Sequence, residues 1–249
     1  MNRMLEICVD SLASARAAIA GGADRLELCT ALSVGGLTPY IELLRQIRAE
    51  SDIPIRCLMR PRGGDFLYTP EEIQMMANQI TALKQAGANG FVIGCLDENG
   101  DLNKAAMYPL LYAASGCGLT LHRCIDVSRD PLQTYRDAAS LDIDTVLTSG
   151  AAGNCLAGKE LIAALLELRD EISGPEILIG AGVKASVIAA FRSELPDARA
   201  FHASCKTEIE SQMRFRREGV PMGLPGLDEW HIQQTDAETV RLAKLALLG

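Results

Sequence analysis

The feature that most constrains the fold is a rhythm. Short β-like runs alternate with helical patterns along the whole chain, at 4–9, 24–29, 55–60, 90–95, 119–126, 145–149, 177–181 and 200–204. Eight runs over 249 residues give about 31 residues per unit, the size of one strand-plus-helix repeat. Alternation at that period calls for parallel strands. Eight of them call for a closed (β/α)8 barrel, expected as one domain over 1–249. An open doubly wound sheet is the rival, but it commonly uses five or six strands.

Local signals agree with this reading. Thr38-Pro39, Thr69-Pro70 and Asp130-Pro131 each set a capping side chain before a proline at the first helical position. Thr69-Pro70-Glu71-Glu72 and Thr235-Asp236-Ala237-Glu238 read as capping boxes. Gly21-Gly22, Gly87 and Gly116 fall where helices should stop. One segment breaks the rhythm. Residues 205–234 form a long loop between the eighth strand and the last helix, expected to serve as a pocket lid or an interface.

Composition narrows the function. A net charge of −8 and 4% aromatic residues argue against a nucleic-acid binder, which needs a basic stripe and stacking surfaces. The longest stretch free of charge and histidine, 105–121, is broken by Pro109, Gly116 and Gly118, so no membrane association is expected. The N-terminus shows no apolar region of signal-peptide type, and a cytoplasmic location is expected. None of the eight cysteines forms C-x-x-C, which argues against a zinc ribbon or a thioredoxin-like motif. GxSxG, HExxH, Walker A and GxGxxG motifs are absent, and no organic cofactor is expected.

Barrel chemistry sits at the C-terminal ends of the strands. In the first strand Leu5, Ile7 and Val9 share the face that meets the helices, so Glu6 and Cys8 point into the barrel. By the same alternation Leu26 and Leu28 face out, while Glu27 and Cys29 face in. Arg60, His122 and His202 should join them. With strands about 4.8 Å apart, Cys8 and Cys29 are expected at one height, with Glu6 and Glu27 a layer below. Such an inward cluster suits acid–base work, with Glu6 or Glu27 as general base, His122 as general acid and Arg60 as anion clamp. A polar plug, in which Arg56 or Arg60 holds the buried glutamates, is the structural alternative. Arg60-Pro61-Arg62-Gly63-Gly64 near the mouth suits a carboxylate or phosphate, or else salt-bridged lid residues. Ser149 after the sixth strand and Gly182 after the seventh lie where barrels often bind phosphate, with plain tight turns as the alternative.

Several segments together resemble one family. They are Glu6-Ile7-Cys8-Val9-Asp10-Ser11, Gly21-Gly22-Ala23-Asp24-Arg25-Leu26-Glu27-Leu28-Cys29 and Arg60-Pro61-Arg62-Gly63-Gly64-Asp65-Phe66. With Leu121-His122-Arg123, Leu147-Thr148-Ser149-Gly150 and Met213-Arg214-Phe215-Arg216, the chain resembles CutC, the copper homeostasis protein family, essentially end to end. The resemblance implies a TIM-like barrel, a cytoplasmic location, a homodimer or larger assembly, and copper handling with Cys8 and Cys29 as Cu(I) ligands. Soft thiolates favour that ion. Two functions are thus expected to compete. One is a copper homeostasis protein that binds Cu(I) through thiolates. The other is a barrel enzyme acting on a small anionic or sugar-like ligand, or a hard divalent ion held by Glu6, Glu27, His122 and His202.

Overall fold

In the computed structural model, residues 3–217, 219–220, 222–223 and 229–249 are described. Eight parallel strands pair in chain order and close on themselves, with β8 returning to β1. They are β1 (Met4–Val9), β2 (Arg25–Leu28), β3 (Ile55–Leu58), β4 (Gly90–Ile93), β5 (Gly118–Leu121), β6 (Thr145–Thr148), β7 (Glu176–Ile179) and β8 (Ala200–Ala203). Around them run α1 (Leu12–Ala20), α2 (Ile41–Glu50), α3 (Pro70–Gln85), α4 (Lys104–Ala113), α5 (Pro131–Ser140), α6 (Lys159–Ile172), α7 (Ala185–Glu194) and α8 (Ala237–Leu248). All eight expected runs are strands, and the closed barrel prevails over the open sheet.

Strand alternation builds two separate interiors. Leu5, Ile7, Val9, Leu26 and Leu28 are fully buried with Ala15, Ala18 and Leu44 in the layer between sheet and helices. Each leucine, isoleucine or valine among them contributes about 1.5–3 kcal/mol on burial. The other face of each strand fills the barrel. Met4, Leu147, Leu178 and Ala200 pack there. Arg56 donates to Thr120 Oγ1 at 2.6 Å and pairs with Asp144 at 2.6 Å, so the glutamates are not its partners.

The caps divide into those that hold and those that shift. Thr69 and Glu72 exchange both bonds of a capping box at α3, and Asp130 accepts from Leu132 and Gln133 amides at α5. At α8 the cap is Asp236, which accepts from Thr239, so the box is displaced by one residue from Thr235. Thr38 does not cap α2. Its hydroxyl accepts from the Arg60 amide at 3.0 Å, tying the approach to α2 to the end of β3. The fifth run is shorter than expected: β5 stops at Leu121, and Arg123–Val127 forms a 3₁₀ turn whose start is capped by the His122 imidazole. In and just beyond the expected 205–234 loop, β9 (Lys206–Glu210) and β10 (His231–Thr235) pair as an antiparallel ribbon, which the helix–strand rhythm does not reveal. Segment 213–217 is exposed beyond that ribbon, and Pro225 and its neighbours lie outside the described residues. No helix among the described residues is long and apolar enough to cross a membrane.

Candidate functional site

A cavity of about 560 Å³ opens at the C-terminal ends of the strands, within the size range of small-ligand sites. Cys8, Glu27, Arg60, His122, Gly182 and His202 are in its wall. Register decides who meets whom. Cys8 lies beside Glu27, and Glu6 lies beside both Arg25 and His202. Cys29 is therefore one rung above Cys8, and Glu27 is level with Cys8 rather than with Glu6. The stagger that closes a barrel produces this offset, and simple alternation does not contain it.

One side of the cavity is a chain of charges. Glu6 is fully buried and pairs with the Arg25 guanidinium. Its other oxygen lies 2.9 Å from His202 Nδ1. Burial works against the charge on Glu6, but Arg25 and His202 outweigh it and hold the carboxyl well below the usual range. An ionised Glu6 only accepts, so His202 Nδ1 carries a hydrogen and donates it. His202 Nε2 is then turned to Glu27 Oε2, 3.6 Å away. The donor atoms of Cys8, Glu27 and His202 all lie within 4.8 Å of one another. Burial lifts Glu27 to about 7, with the neighbouring Glu6 charge adding to the effect against His202. Burial opposes protonation of His202, yet the Cys8 and Glu27 charges and its hydrogen bonds carry it well above the ordinary imidazole value.

The other side is cationic. Arg60 is buried and donates to the carbonyls of Val34 at 2.8 Å, Gly36 at 3.2 Å and Gly64 at 3.0 Å. Phe66 stacks between it and His122, with 5.2 Å from the ring centroid to Arg60 Cζ and 4.7 Å to the imidazole centroid. His122 Nδ1 accepts from the Cys124 amide at 3.2 Å, so the ring hydrogen is on Nε2. The ring fits because residue 94 is glycine: a Cβ there would stand 2.5 Å from both His122 Cε1 and Cys124 Sγ. Burial, aided by the Arg60 charge, lowers His122 from 6.5 to about 3. His122 is thus held as a neutral Nε2–H donor near pH 7. Its folded pKa lies below the unfolded one, so the unfolded chain binds the extra proton first. Stability should therefore fall as pH drops from 6.5 towards 3, with a slope of up to about 1.4 kcal/mol per pH unit. The His122 ring resonances followed by NMR should stay in the neutral form at pH 5; protonation near pH 6.5 would contradict this.

The remaining expected residues divide. Arg62 is not part of the cavity wall; it pairs with Glu72 at 2.8 Å and Asp65 at 3.0 Å and stacks on Tyr68, as a salt-bridged lid residue would. Ser149 is held by Asp126 through both its amide and its hydroxyl, and the same carboxylate accepts from Thr148 and Ala151. The chain's own carboxylate thus fills the turn where phosphate was expected. Gly182 remains in the cavity wall with φ +76°. Cys29 is fully buried with Leu58 and Val92, its thiol 3.5 Å from the Val9 carbonyl, and burial raises it far above the usual thiol value. Arg25, absent from the residues expected at the site, is the partner of Glu6; its strand parity with Glu27 is the sequence signal that places it there.

The CutC family model matches residues 3–207. A CutC family protein of Chromobacterium violaceum is 38% identical over 248 residues, covering 99% of both chains. Another from Parabacteroides distasonis is 39% identical over 244 residues, covering 97% of this chain and 99% of its own. Among solved structures, the CutC protein of Streptococcus agalactiae, whose name assigns it to copper homeostasis, superposes with a TM-score of 0.75 at 26% identity, over 81% of this chain and 98% of that one. The tryptophan synthase α-subunit of Pyrococcus furiosus, at 14% identity and TM-score 0.55 over 82% of this chain and 89% of its own, shares the fold alone.

Proposed function

We propose, from the premise that this chain belongs to the CutC family, that it is a copper homeostasis protein that takes up Cu(I) at Cys8, Glu27 and His202. The observation that carries the reading is the convergence of these three donors, with Glu6 behind His202. A thiolate and a neutral imidazole suit copper, so the Cys8 thiol proton and the His202 Nε2 proton must leave as the ion binds, and Glu27 supplies a further oxygen donor. A carboxylate on the far nitrogen of a ligating histidine fixes its tautomer and orientation, which is the role left for Glu6 here. Cys29, the other thiol of the expected pair, keeps its contact with the Val9 carbonyl outside the trio. Titration of Cu(I) against a competing chelator, in wild type and single variants, tests this assignment.

A second reading rests on Glu27, whose carboxyl is lifted to about 7 beside His202 in the same cavity. A group poised there can exchange protons with a small anionic or sugar-like substrate. Under this reading Glu27→Gln abolishes turnover and leaves Cu(I) affinity close to wild type; a large loss of Cu(I) affinity in Glu27→Gln favours the copper site instead.

The assembly is a homodimer in this proposal. Ile209, Met213, Phe215 and Ile232 expose apolar surface on and beyond the β9–β10 ribbon, interleaved with Arg216. Apolar side chains with arginine are the composition that interfaces favour. Light scattering at micromolar concentration should give twice the mass of one chain, and the mass of a single chain would contradict it. Eight free thiols fit a reducing compartment, which supports a cytoplasmic location.

A further inference from the structure

We infer that the Arg60–His122 side of the cavity is a seat for the oxyanion of a small organic carboxylate or phosphate ester. Three observations carry this. First, charge is distributed against the grain of the molecule. The chain carries −8 overall, yet Arg60, Arg123 and Lys206 are all in the cavity wall, against the carboxyl groups of Asp126 and Glu27. Arg123 and Asp126 pair with each other, which leaves Arg60 and Lys206 against Glu27. A cleft that concentrates one sign of charge draws in ligands of the other sign.

Second, Arg60 is a buried cation whose side-chain hydrogen bonds among the described residues all go to backbone carbonyls and none to a carboxylate. Carbonyl oxygens occupy its terminal nitrogens, and its Nε–H has no acceptor. Third, the Nε2–H of the neutral His122 imidazole also has no acceptor. Buried donors are normally satisfied, and two unsatisfied donors in one cavity wall, one of them on a guanidinium, match what an oxyanion accepts. A neutral histidine donates to an oxyanion without a proton changing hands.

Phe66 lies over both groups, following the Gly63-Gly64 turn, and its backbone carbonyl is held by the Leu96 amide at 2.9 Å. Both donor atoms are covered in this arrangement, so the proposal requires the half-buried Phe66 ring to turn aside for a ligand to reach them. An oxyanion seated here leaves the rest of its molecule towards Cys8, Glu27 and His202 across the mouth. The seat depends on neither reading of that trio, because it requires no metal and no turnover.

The test uses full-length protein stripped of metal with a chelator, in wild-type and Cys8→Ser forms. Inorganic phosphate and malonate are each titrated at constant ionic strength, with chloride as the control. Thermal midpoint and the His122 Nε2–H resonance are read together. We expect a rise in midpoint and a shift of that resonance with at least one of the two anions, equal in both protein forms. A response to phosphate alone assigns a phosphate ester, to malonate alone a carboxylate, and to both a shared oxyanion seat. Arg60→Met should weaken binding at least about tenfold, as loss of a charge-assisted hydrogen bond does. Because Arg60 also holds three loop carbonyls, Lys206→Gln at the exposed rim provides a second variant, with a smaller loss in the same direction. A midpoint and a His122 resonance that ignore both anions in wild type overturn the inference, whatever the copper titration shows.

Discussion

Cys8→Ser is expected to lower Cu(I) affinity by more than about 100-fold, the upper end of what loss of an outer partner of a metal ligand costs. Cys8 is the only thiol in the converging trio, and Cu(I) owes most of its affinity to thiolate. The fold should survive, at about 1–3 kcal/mol if the new hydroxyl is left unpaired. His202→Asn should fall in the same range as Cys8→Ser. Cys29→Ser should stay within a few-fold of wild type, because its thiol bonds to the Val9 carbonyl one rung away. The measurement is Cu(I) competition with a chelator of known affinity under reducing conditions. Equal affinities for wild type and Cys8→Ser would remove the copper assignment, and a collapse in Cys29→Ser would return Cys29 to the ligand set.

The largest effect on stability is expected from Glu6→Ala. Glu6 is fully buried and is the partner of both Arg25 and His202, so its removal leaves a guanidinium underground with no carboxylate. Breaking a buried pair from one side costs about 3–5 kcal/mol. Urea unfolding should show the loss as a lower midpoint. Replacing Arg25 by leucine in the same chain should recover part of it, since the uncompensated charge is then gone. The pH dependence has a definite sign. The Glu6 carboxyl lies below its unfolded value of 4.5, so its contribution is complete above that pH and is lost as pH falls towards about 2. A Glu6→Ala protein as stable as wild type at pH 7 would show that the Arg25 pair contributes little.

The barrel was legible because its determinants are local. Alternation of Leu5, Ile7 and Val9 with Glu6 and Cys8 sorts each strand into an outer and an inner face, and it needs no partner strand. The helix caps at Thr69 and Asp130 are equally local, since hydroxyl or carboxylate and amide lie within three residues of each other. Where a cap competed with a distant group, the reading failed: Thr38 belongs to Arg60. The β9–β10 ribbon escaped because its strands are exposed and carry no buried alternation.

For the site, the sequence determined by itself which residues face into the barrel: Glu6, Cys8, Glu27, Arg60, His122 and His202 lie where alternation puts them. Only the tertiary structure decided their pairing. Barrel closure shears neighbouring strands, so Cys8 stands beside Glu27 and not Cys29, and Arg25 reaches Glu6. Charge states were settled at the same level. His122 is pushed towards its neutral form by burial next to Arg60, while His202 is pushed towards its charged form by the groups around it, Glu27 and Glu6 among them, although both are histidines at strand ends. Facing direction depends on two consecutive residues of one strand. Pairing and protonation depend on groups that the chain brings together from up to 196 positions apart, and no local pattern encodes that meeting.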